Sequence, residues 1–197
     1  MAPVQVRKRL LFGSLAVSAV ASVAVGFILA DRNTGGSSTT STEATDTRPA
    51  PDVGGIDTNA VVEGKPLPDV NVQNLAGDDI PTSSLIGMPM VINVWGSTCI
   101  PCKEELPAFA AAYAKYGSKV QFVGLDFLGP SDREERFARG KGVKYQLLYD
   151  GNGEFISTAG IAAFPVTLFV NAKGVIVRQT GQLDEATLAK YIESDLG

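Results

Sequence analysis

Residues 91–107 read VINVWGSTCIPCKEELP, and this stretch decides the fold. Together with Met90, its first part is a near-continuous apolar run up to Trp95, which is typical of a strand buried on both faces of a sheet. The only two cysteines of the chain, Cys99 and Cys102, follow directly. A helix is predicted from Cys99 to Tyr116, closed by Gly117. The cysteine pair therefore lies where a buried strand passes into a helix.

Further strands and helices are predicted on both sides of this segment. Strand patterns lie at 70–72, 120–125, 146–149, 166–170 and 175–180, and helical patterns at 131–140, 152–159 and from 184 onward. Turns are predicted at 77–79 and 171–174, and Ser131 with Glu134 predicts a capping box. The last helix is expected to bury Leu188, Tyr191 and Ile192. Strands interleaved with helices indicate an α/β domain with a mixed central sheet flanked by helices.

The spacing of the two cysteines suits dithiol chemistry. In the first turn of a helix, residues i and i+3 lie close enough for a disulfide. Free N–H groups and the positive end of the helix dipole stabilise a thiolate at Cys99, which is the predicted nucleophile. Cys102 heads an apolar stripe that continues through Leu106, Phe109, Ala110 and Tyr113. Cys102 should therefore be shielded and should resolve the mixed disulfide that Cys99 forms.

Two acidic residues follow the pair, and the helical repeat separates them. Glu105 lies one turn beyond Cys102 and close to the apolar stripe, whereas Glu104 faces solvent. Glu105 is thus the candidate to tune the thiol pKa or to move a proton toward Cys102. An acid near the start of a helix also complements the helix dipole, and the sequence leaves that simpler role open.

Composition excludes several other kinds of site. The chain has no histidine, so His-based metal sites and Cys-His or Ser-His-Asp catalytic groups are excluded. The net charge is −4, and basic residues do not cluster beyond the first ten positions, so no nucleic-acid partner is expected. The cysteine pair has three alternative interpretations: a structural disulfide, a metal site shared between two copies, or a peroxide-reducing cysteine. No metal is predicted, and no cofactor beyond a redox-active disulfide between Cys99 and Cys102.

The N-terminal part of the chain predicts a membrane anchor and a tether. Residues 1–9 form a basic cytoplasmic end, and residues 10–30 carry no charge and are long enough to span a bilayer. Residues 31–65 are rich in Ser, Thr, Gly, Asp and Pro and predict a flexible linker. The expected location is the cell membrane, single-pass, with residues 66–197 extracytoplasmic. A cleaved signal peptide is the alternative, because 19–21 and 22–24 resemble cleavage sites.

Residues 66–197 resemble the membrane-tethered thioredoxin-like proteins of the TlpA/ResA/CcmG (DsbE) type, in the AhpC/TSA-redoxin superfamily. The motif comprises Asn93, Val94, Trp95, Cys99, Pro101, Cys102, Lys103, Glu105 and Pro107. A second match is GIAAFPVTLFVNAKGVIV at 160–177. The resemblance implies a thioredoxin-like fold and a cis peptide bond before Pro165. It also implies that the backbone of Phe164 pairs with a substrate chain as an added strand.

The chain departs from the family pattern at several positions. Thioredoxins themselves carry an aspartate where Asn93 stands, so Glu105 is expected to take part of that buried acid's role. Thr98 replaces a common tryptophan and Val94 replaces the usual phenylalanine. The resemblance implies a substrate-binding surface made of Trp95, Thr98, Ile100, Pro101, Phe164 and Pro165.

Three functions are compatible with the sequence. The first is a protein-disulfide reductase that donates two electrons to exported proteins, as relatives of this type do for apocytochrome c, with a membrane thiol-reductant carrier as its second partner. The second is a disulfide donor or isomerase, because the reduction potential of one fold varies widely. The third is a non-enzymatic, tethered binding domain with a structural disulfide.

Overall fold

The computed structural model describes residues 59–197, and within them one seven-stranded mixed sheet is flanked by helices. The strands are β1 (Asn71–Gln73), β2 (Asp79–Pro81), β3 (Met90–Trp95), β4 (Gln121–Asp126), β5 (Gln146–Tyr149), β6 (Val166–Val170) and β7 (Ile176–Thr180). The helices are α1 (Ile100–Tyr116), α2 (Asp132–Gly140), α3 (Glu154–Ala159) and α4 (Glu185–Asp195), with a short 3-10 helix at Thr82–Leu85. The strand order is β2-β1-β5-β4-β3-β6-β7.

The central strand β3 is buried over its whole length, as its apolar run predicts. It pairs in parallel with β4, so that Trp95 lies beside Asp126, and antiparallel with β6, so that Val94 lies beside Val166. Apolar residues of α1, α2 and α4 cover one face of the sheet, and those of α3 cover the other. The thioredoxin-like arrangement of a mixed sheet between helices is therefore present.

Side-chain caps fix the start of three helices. Cys99 caps α1 by accepting a hydrogen bond at Sγ from the Cys102 amide, Ser131 caps α2, and Asp184 caps α4. These side chains satisfy amide groups that have no partner inside the helix. The same caps explain why the helix starts could be read from the sequence within a residue or two.

Most predicted elements are confirmed, with three local differences. Strands β3, β5 and β6 have the predicted bounds, β1 and β4 are shifted by one residue, and β7 begins one residue later than predicted. Glu134 does not complete a capping box: its amide bonds Ser131, but its carboxylate binds Ser97 instead. Tyr191 is only half-buried, because its ring lies against the Arg178 guanidinium at the surface.

The apolar stripe of α1 also differs from the prediction. Its buried members are Cys102, Glu105, Leu106, Phe109 and Ala112, whereas Ala110 and Tyr113 are half-buried. The stripe advances mainly by three residues at a time rather than four. It therefore rotates toward the side of the helix that carries Glu105.

The folded domain begins earlier than the sequence predicts. Residues 59–65, expected to end the linker, pack against the domain, with Val62 buried and hydrogen bonds from the Gly64 and Ala60 amides to Ile176 and Gly160. Amino-acid composition did not indicate this packing, because most of the segment is held to the domain by backbone hydrogen bonds and not by apolar side chains. The predicted basic end, anchor and greater part of the linker lie outside the described residues. Among residues 59–197, none of the helices is long and apolar enough to cross a bilayer.

Candidate active site

The two cysteines lie at the carboxyl end of β3, at the first turn of α1. They form a disulfide in this structure, with their Cα atoms 5.3 Å apart. Cys99 is half-buried at the N-cap, and Cys102 is fully buried with 0% of its surface exposed. A partner thiol can therefore approach Cys99 and not Cys102. The predicted difference in burial between the two sulfurs is confirmed.

Glu105 is a buried carboxyl group one helical turn after Cys102. Only 2% of its surface is exposed, and its oxygens accept hydrogen bonds from Asn93 Nδ2 at 2.7 Å and from the Leu183 amide at 3.0 Å. Burial raises the pKa of Glu105 to about 7, although both hydrogen bonds act in the opposite direction. Glu104 is exposed and accepts a hydrogen bond from Gln182 Nε2, as its position on the helix predicts. At neutral pH, Glu105 is therefore able to hold or release a proton.

Asn93 supports this carboxyl group directly. The sequence suggested that Glu105 takes over part of the role of an acid missing at position 93. The structure joins the two residues: Asn93 on β3 donates to Glu105 Oε1 across the interface between the sheet and α1. Because an amide stabilises a carboxylate without adding charge, Asn93 favours the ionised form of Glu105.

The loop before β6 completes the site. The Phe164–Pro165 peptide bond is cis, which confirms the expectation from the family resemblance. Since Val166 lies beside Val94 in the β3–β6 register, Pro165 and Phe164 continue past the end of β3 toward the cysteines. Pro165 is buried and Phe164 is half-buried.

The residues of the predicted substrate-binding surface differ in their exposure. Thr98 is exposed, Pro101 is half-buried, and Ile100 is 66% exposed between the two sulfurs. Trp95 does not belong to this surface. Its ring is fully buried against Phe137, at a centroid separation of 6.1 Å, because β3 is covered on both faces.

Sequence reasoning missed an aromatic contact beside the cysteines. Phe127, directly after β4, stacks on Phe164 with ring centroids 4.2 Å apart. A Cβ at position 96 would come within 2.7 Å of the Phe127 ring, so Gly96 allows this ring to lie against the backbone before Cys99. Nothing local in the sequence marks Phe127, because its two partners are distant along the chain.

A second group of buried acids was also missed. Glu134 on α2 accepts hydrogen bonds from the Ser97 hydroxyl at 2.6 Å and from the Ser97 amide at 3.1 Å. Asp126, at the end of β4, accepts one from the Leu128 amide at 2.7 Å. Burial, and then the neighbouring charge of Glu134, raises the pKa of Asp126 to about 7. One signal was available: polar residues at the carboxyl ends of parallel strands often face a functional site.

This arrangement is equipped for exchange between thiols and disulfides. It combines an accessible sulfur at a helix start, a shielded second sulfur, and a buried acid that titrates near neutral pH. Within residues 59–197, no group of three or more Cys, Asp or Glu side chains is placed to hold a metal ion.

Comparisons with known proteins agree with this chemistry. Thiol-disulfide oxidoreductase ResA of Bacillus anthracis is 29% identical over 132 residues, which cover 66% of this chain and 76% of that protein. MTB DsbF, solved in mixed oxidized and reduced forms, has a TM-score of 0.58 at 25% identity, covering 64% of this chain and 94% of that one. A thiol:disulfide interchange protein of Chlorobium tepidum TLS shares the fold, with a TM-score of 0.58 at 20% identity, covering 70% of this chain and 100% of that one.

The family assignment rests on the same segment that carries the site. The model of the AhpC/TSA family matches residues 63–179, which include both cysteines, Glu105 and the cis-proline. The protein is a thiol–disulfide oxidoreductase. The chain belongs to the AhpC/TSA family and, within it, to the thioredoxin-like oxidoreductases of the TlpA/ResA/CcmG type.

Proposed function

We propose that this oxidoreductase works as a membrane-tethered, extracytoplasmic reductase of protein disulfides. The observation that carries the direction of electron flow is Glu105, a buried acid with its pKa raised to about 7, one turn from Cys102. A buried negative charge raises the pKa of nearby thiols and destabilises their thiolates. A dithiol whose thiolates are poorly stabilised gives up its electrons readily, whereas strong oxidants have a stabilised reduced form.

The proposed reaction moves two electrons and two protons to the substrate. The Cys99 thiolate attacks a substrate sulfur, which forms a mixed disulfide and releases the first substrate sulfur as a thiolate. This thiolate takes up from water the proton that the Cys99 thiol had given up. Glu105, in its ionised form, then takes the proton of Cys102. The Cys102 thiolate attacks Cys99 Sγ, which forms the Cys99–Cys102 disulfide and releases the second substrate sulfur as a thiolate. That thiolate takes the proton held by Glu105, so Glu105 is ionised again.

Protein substrates are proposed to bind along the loop that ends at Pro165. The half-buried Phe164 precedes the cis bond, and its backbone is expected to pair with an extended substrate segment. The exposed Thr98 and Ile100 and the half-buried Pro101 flank Cys99 and complete this surface. Disulfides of exported proteins, apocytochrome c among them, are the proposed substrates, and a membrane thiol-reductant carrier is proposed to regenerate the dithiol.

The proposed location rests on residues 1–65 of the sequence. A charge-free segment at 10–30 after three basic residues supports an uncleaved anchor with the N-terminus in the cytoplasm. Tethering raises the effective concentration of the domain near membrane partners. Since the chain has only two cysteines, a membrane-impermeant maleimide should label reduced protein in intact cells. Labelling that requires cell lysis would contradict the location.

A second direction, disulfide donation, is favoured by one observation. Cys99 caps α1, and its Sγ accepts a hydrogen bond from the Cys102 amide at 3.2 Å. In this position the amides at the start of the helix stabilise a thiolate. Stabilising the reduced form in this way makes a disulfide a stronger oxidant. Helix-start amides and Glu105 thus act in opposite directions on the reduction potential.

A glutathione redox titration of the full chain decides between the two directions. For a reductase, we expect a potential near that of thioredoxin, about −270 mV, and a value close to about −120 mV would contradict the proposal. Cys102→Ser should trap substrates as mixed disulfides through Cys99, and Cys99→Ser is the control that should trap none. If neither variant forms a DTT-sensitive adduct with a disulfide-containing protein, both redox directions fail.

A further inference from the structure

The first described residue of the chain, Asn59, binds the loop that leads into the cis-proline. Its Oδ1 accepts hydrogen bonds from the Ala162 amide at 2.7 Å and the Ala163 amide at 2.8 Å. Its Nδ2 donates to the Ala163 carbonyl oxygen at 3.1 Å. One side chain therefore satisfies three backbone groups of two consecutive residues, which are separated from it by more than 100 positions in the sequence.

The neighbouring residue ties the same loop at its other end. The Ala60 amide donates to the Gly160 carbonyl oxygen at 2.8 Å. Gly160 has a φ of +62°, and a Cβ there would lie 2.6 Å from the Ala60 Cβ, so a glycine is needed for this close approach. Residues 59 and 60 thus make four hydrogen bonds to the segment 160–163, directly before Phe164.

Little else among the described residues holds Ala162 and Ala163. Ala162 and Ala163 are exposed, and neither amide has another hydrogen-bond partner within residues 59–197. The Ile161 amide donates a hydrogen bond to the Ile156 carbonyl oxygen of α3. The conformation of 162–163 therefore depends on the Asn59 side chain.

We infer that Asn59 is a positioning residue for protein substrates, acting through the loop 160–163 on the backbone of Phe164. This inference rests on the proposed function, in which a substrate chain pairs with Phe164. When the loop is held, the pairing groups of Phe164 are already oriented before the substrate arrives. When it is not, each binding event must also order the loop, and that ordering weakens binding.

Protein disulfides and small disulfides should depend differently on Asn59. A protein disulfide needs both attack by Cys99 and pairing along Phe164. A small aromatic disulfide such as DTNB offers no chain to pair, so it reports the reactivity of Cys99 alone. Loss of Asn59 should therefore slow the first reaction and spare the second.

Two variants and one control test this in the full chain, reduced and held in detergent micelles. Asn59→Ala removes all three hydrogen bonds, whereas Asn59→Asp keeps the acceptor for the two amides and loses only the donor. The control is Glu63→Ala, which removes a hydrogen bond of the same N-terminal segment to the Gln179 amide on β7, away from the loop. Each protein is mixed with insulin, a protein disulfide probe, or with DTNB. Oxidation of its own dithiol to the Cys99–Cys102 disulfide is followed over a single turnover.

We expect Asn59→Ala to reduce insulin about fivefold more slowly at low insulin concentration, with a smaller loss at saturation, because ordering a few groups weakens binding by about 1 kcal/mol. Its rate with DTNB should match that of the wild type. Asn59→Asp should recover most of the insulin rate, and Glu63→Ala should change neither rate. Amide exchange at Ala162 and Ala163 should rise in Asn59→Ala alone.

Two outcomes would overturn this inference. One is an Asn59→Ala variant with an unchanged insulin rate; the other is an equal loss with insulin and DTNB, which indicates a general structural defect. A wild-type protein that reacts with DTNB but does not reduce insulin would instead contradict the proposed reductase. The two failures are therefore distinguishable.

Discussion

The buried acids around the cysteine pair, Glu105 in one group and Glu134 with Asp126 in the other, differ in what they bind. Glu105 belongs to the helix that carries Cys102, and its partners are the neutral Asn93 amide and the Leu183 backbone. Glu134 belongs to another helix and holds both the hydroxyl and the amide of Ser97, two residues before Cys99. The first group is placed to act on the sulfurs, and the second on the loop that carries them.

The difference teaches that burial alone does not assign a role to an acid. Glu105 and Asp126 both have pKa values raised to about 7, chiefly by burial. Glu134, the acid beside Asp126, is buried as well, but its carboxylate accepts hydrogen bonds from two donors of one residue, Ser97. Glu105 instead lies one turn from Cys102, the sulfur that must lose a proton. The hydrogen-bond partners of a carboxyl group, more than its exposure, indicate whether it positions a neighbouring group or transfers a proton.

Removing the carboxylate of Glu134 should have the largest effect on stability. Glu134→Ala leaves the buried hydroxyl and amide of Ser97 without their partner, so we expect a loss of about 3 kcal/mol in the free energy of unfolding. Urea denaturation measures it. Ser97→Ala removes only the hydroxyl and should lose about 1 kcal/mol.

The matched control is Asp132→Ala on the same helix, whose side chain is 80% exposed. It should change the unfolding free energy by less than about 0.5 kcal/mol, since exposed ion pairs contribute little. If Glu134→Ala and Asp132→Ala are equally stable, Glu134 does not hold the loop before Cys99.

The acid beside Cys102 should reveal itself in the pH dependence of stability. The pKa of Glu105 is about 7 in the folded protein and 4.5 as the ordinary value, so the folded state binds more protons between these limits. Stability therefore falls as pH rises from about 4.5 to about 7, by about 3 kcal/mol from this group. Glu105→Gln should remove that part of the decline, as followed by urea unfolding across this range.

Asp126→Asn provides the comparison for this measurement. The pKa of Asp126 is raised from 3.8 to about 7, so its ionisation destabilises the folded state in the same direction. Each single variant should flatten the curve in part, and the double variant should flatten it further. A Glu105→Gln curve that runs parallel to the wild-type curve would show that Glu105 is already ionised at acidic pH.

Glu105 should affect the sulfur chemistry more than Asp126 does, and this is the smallest effect expected. In a Cys102→Ser background, Glu105→Gln should lower the pH midpoint of Cys99 alkylation by about 0.5 to 1 unit, because a negative charge near the thiol is lost. Asp126→Asn should shift it less. A larger shift in Asp126→Asn would reverse the roles assigned to the two groups.

The parts of this fold that could be predicted are those where one local signal dominates. The strand β3 was predicted to the residue because both of its faces are buried, and the start of α1 followed from the cysteines and Pro101. Phe164–Pro165 was found only through the family resemblance. Spacing along the chain gives no indication of a cis bond.

What could not be predicted depends on partners far along the sequence. Glu134 matched a capping box, yet its carboxylate binds Ser97, 37 residues earlier. The family resemblance placed Trp95 in the substrate-binding surface, but helix α2 covers it through Phe137. In both cases a tertiary contact took precedence over the local motif.

The segment before the predicted domain start has a consequence for shortened forms of the protein. Residues 62–66 run along β7, the last strand of the sheet, through Gly64, Lys65 and the bridge between Pro66 and Val175. A protein trimmed to begin at the composition boundary, position 66, would uncover this edge and its unpaired backbone groups. Exposed strand edges template pairing with other chains, so such a fragment should self-associate, whereas one that begins before Asn59 should stay monodisperse.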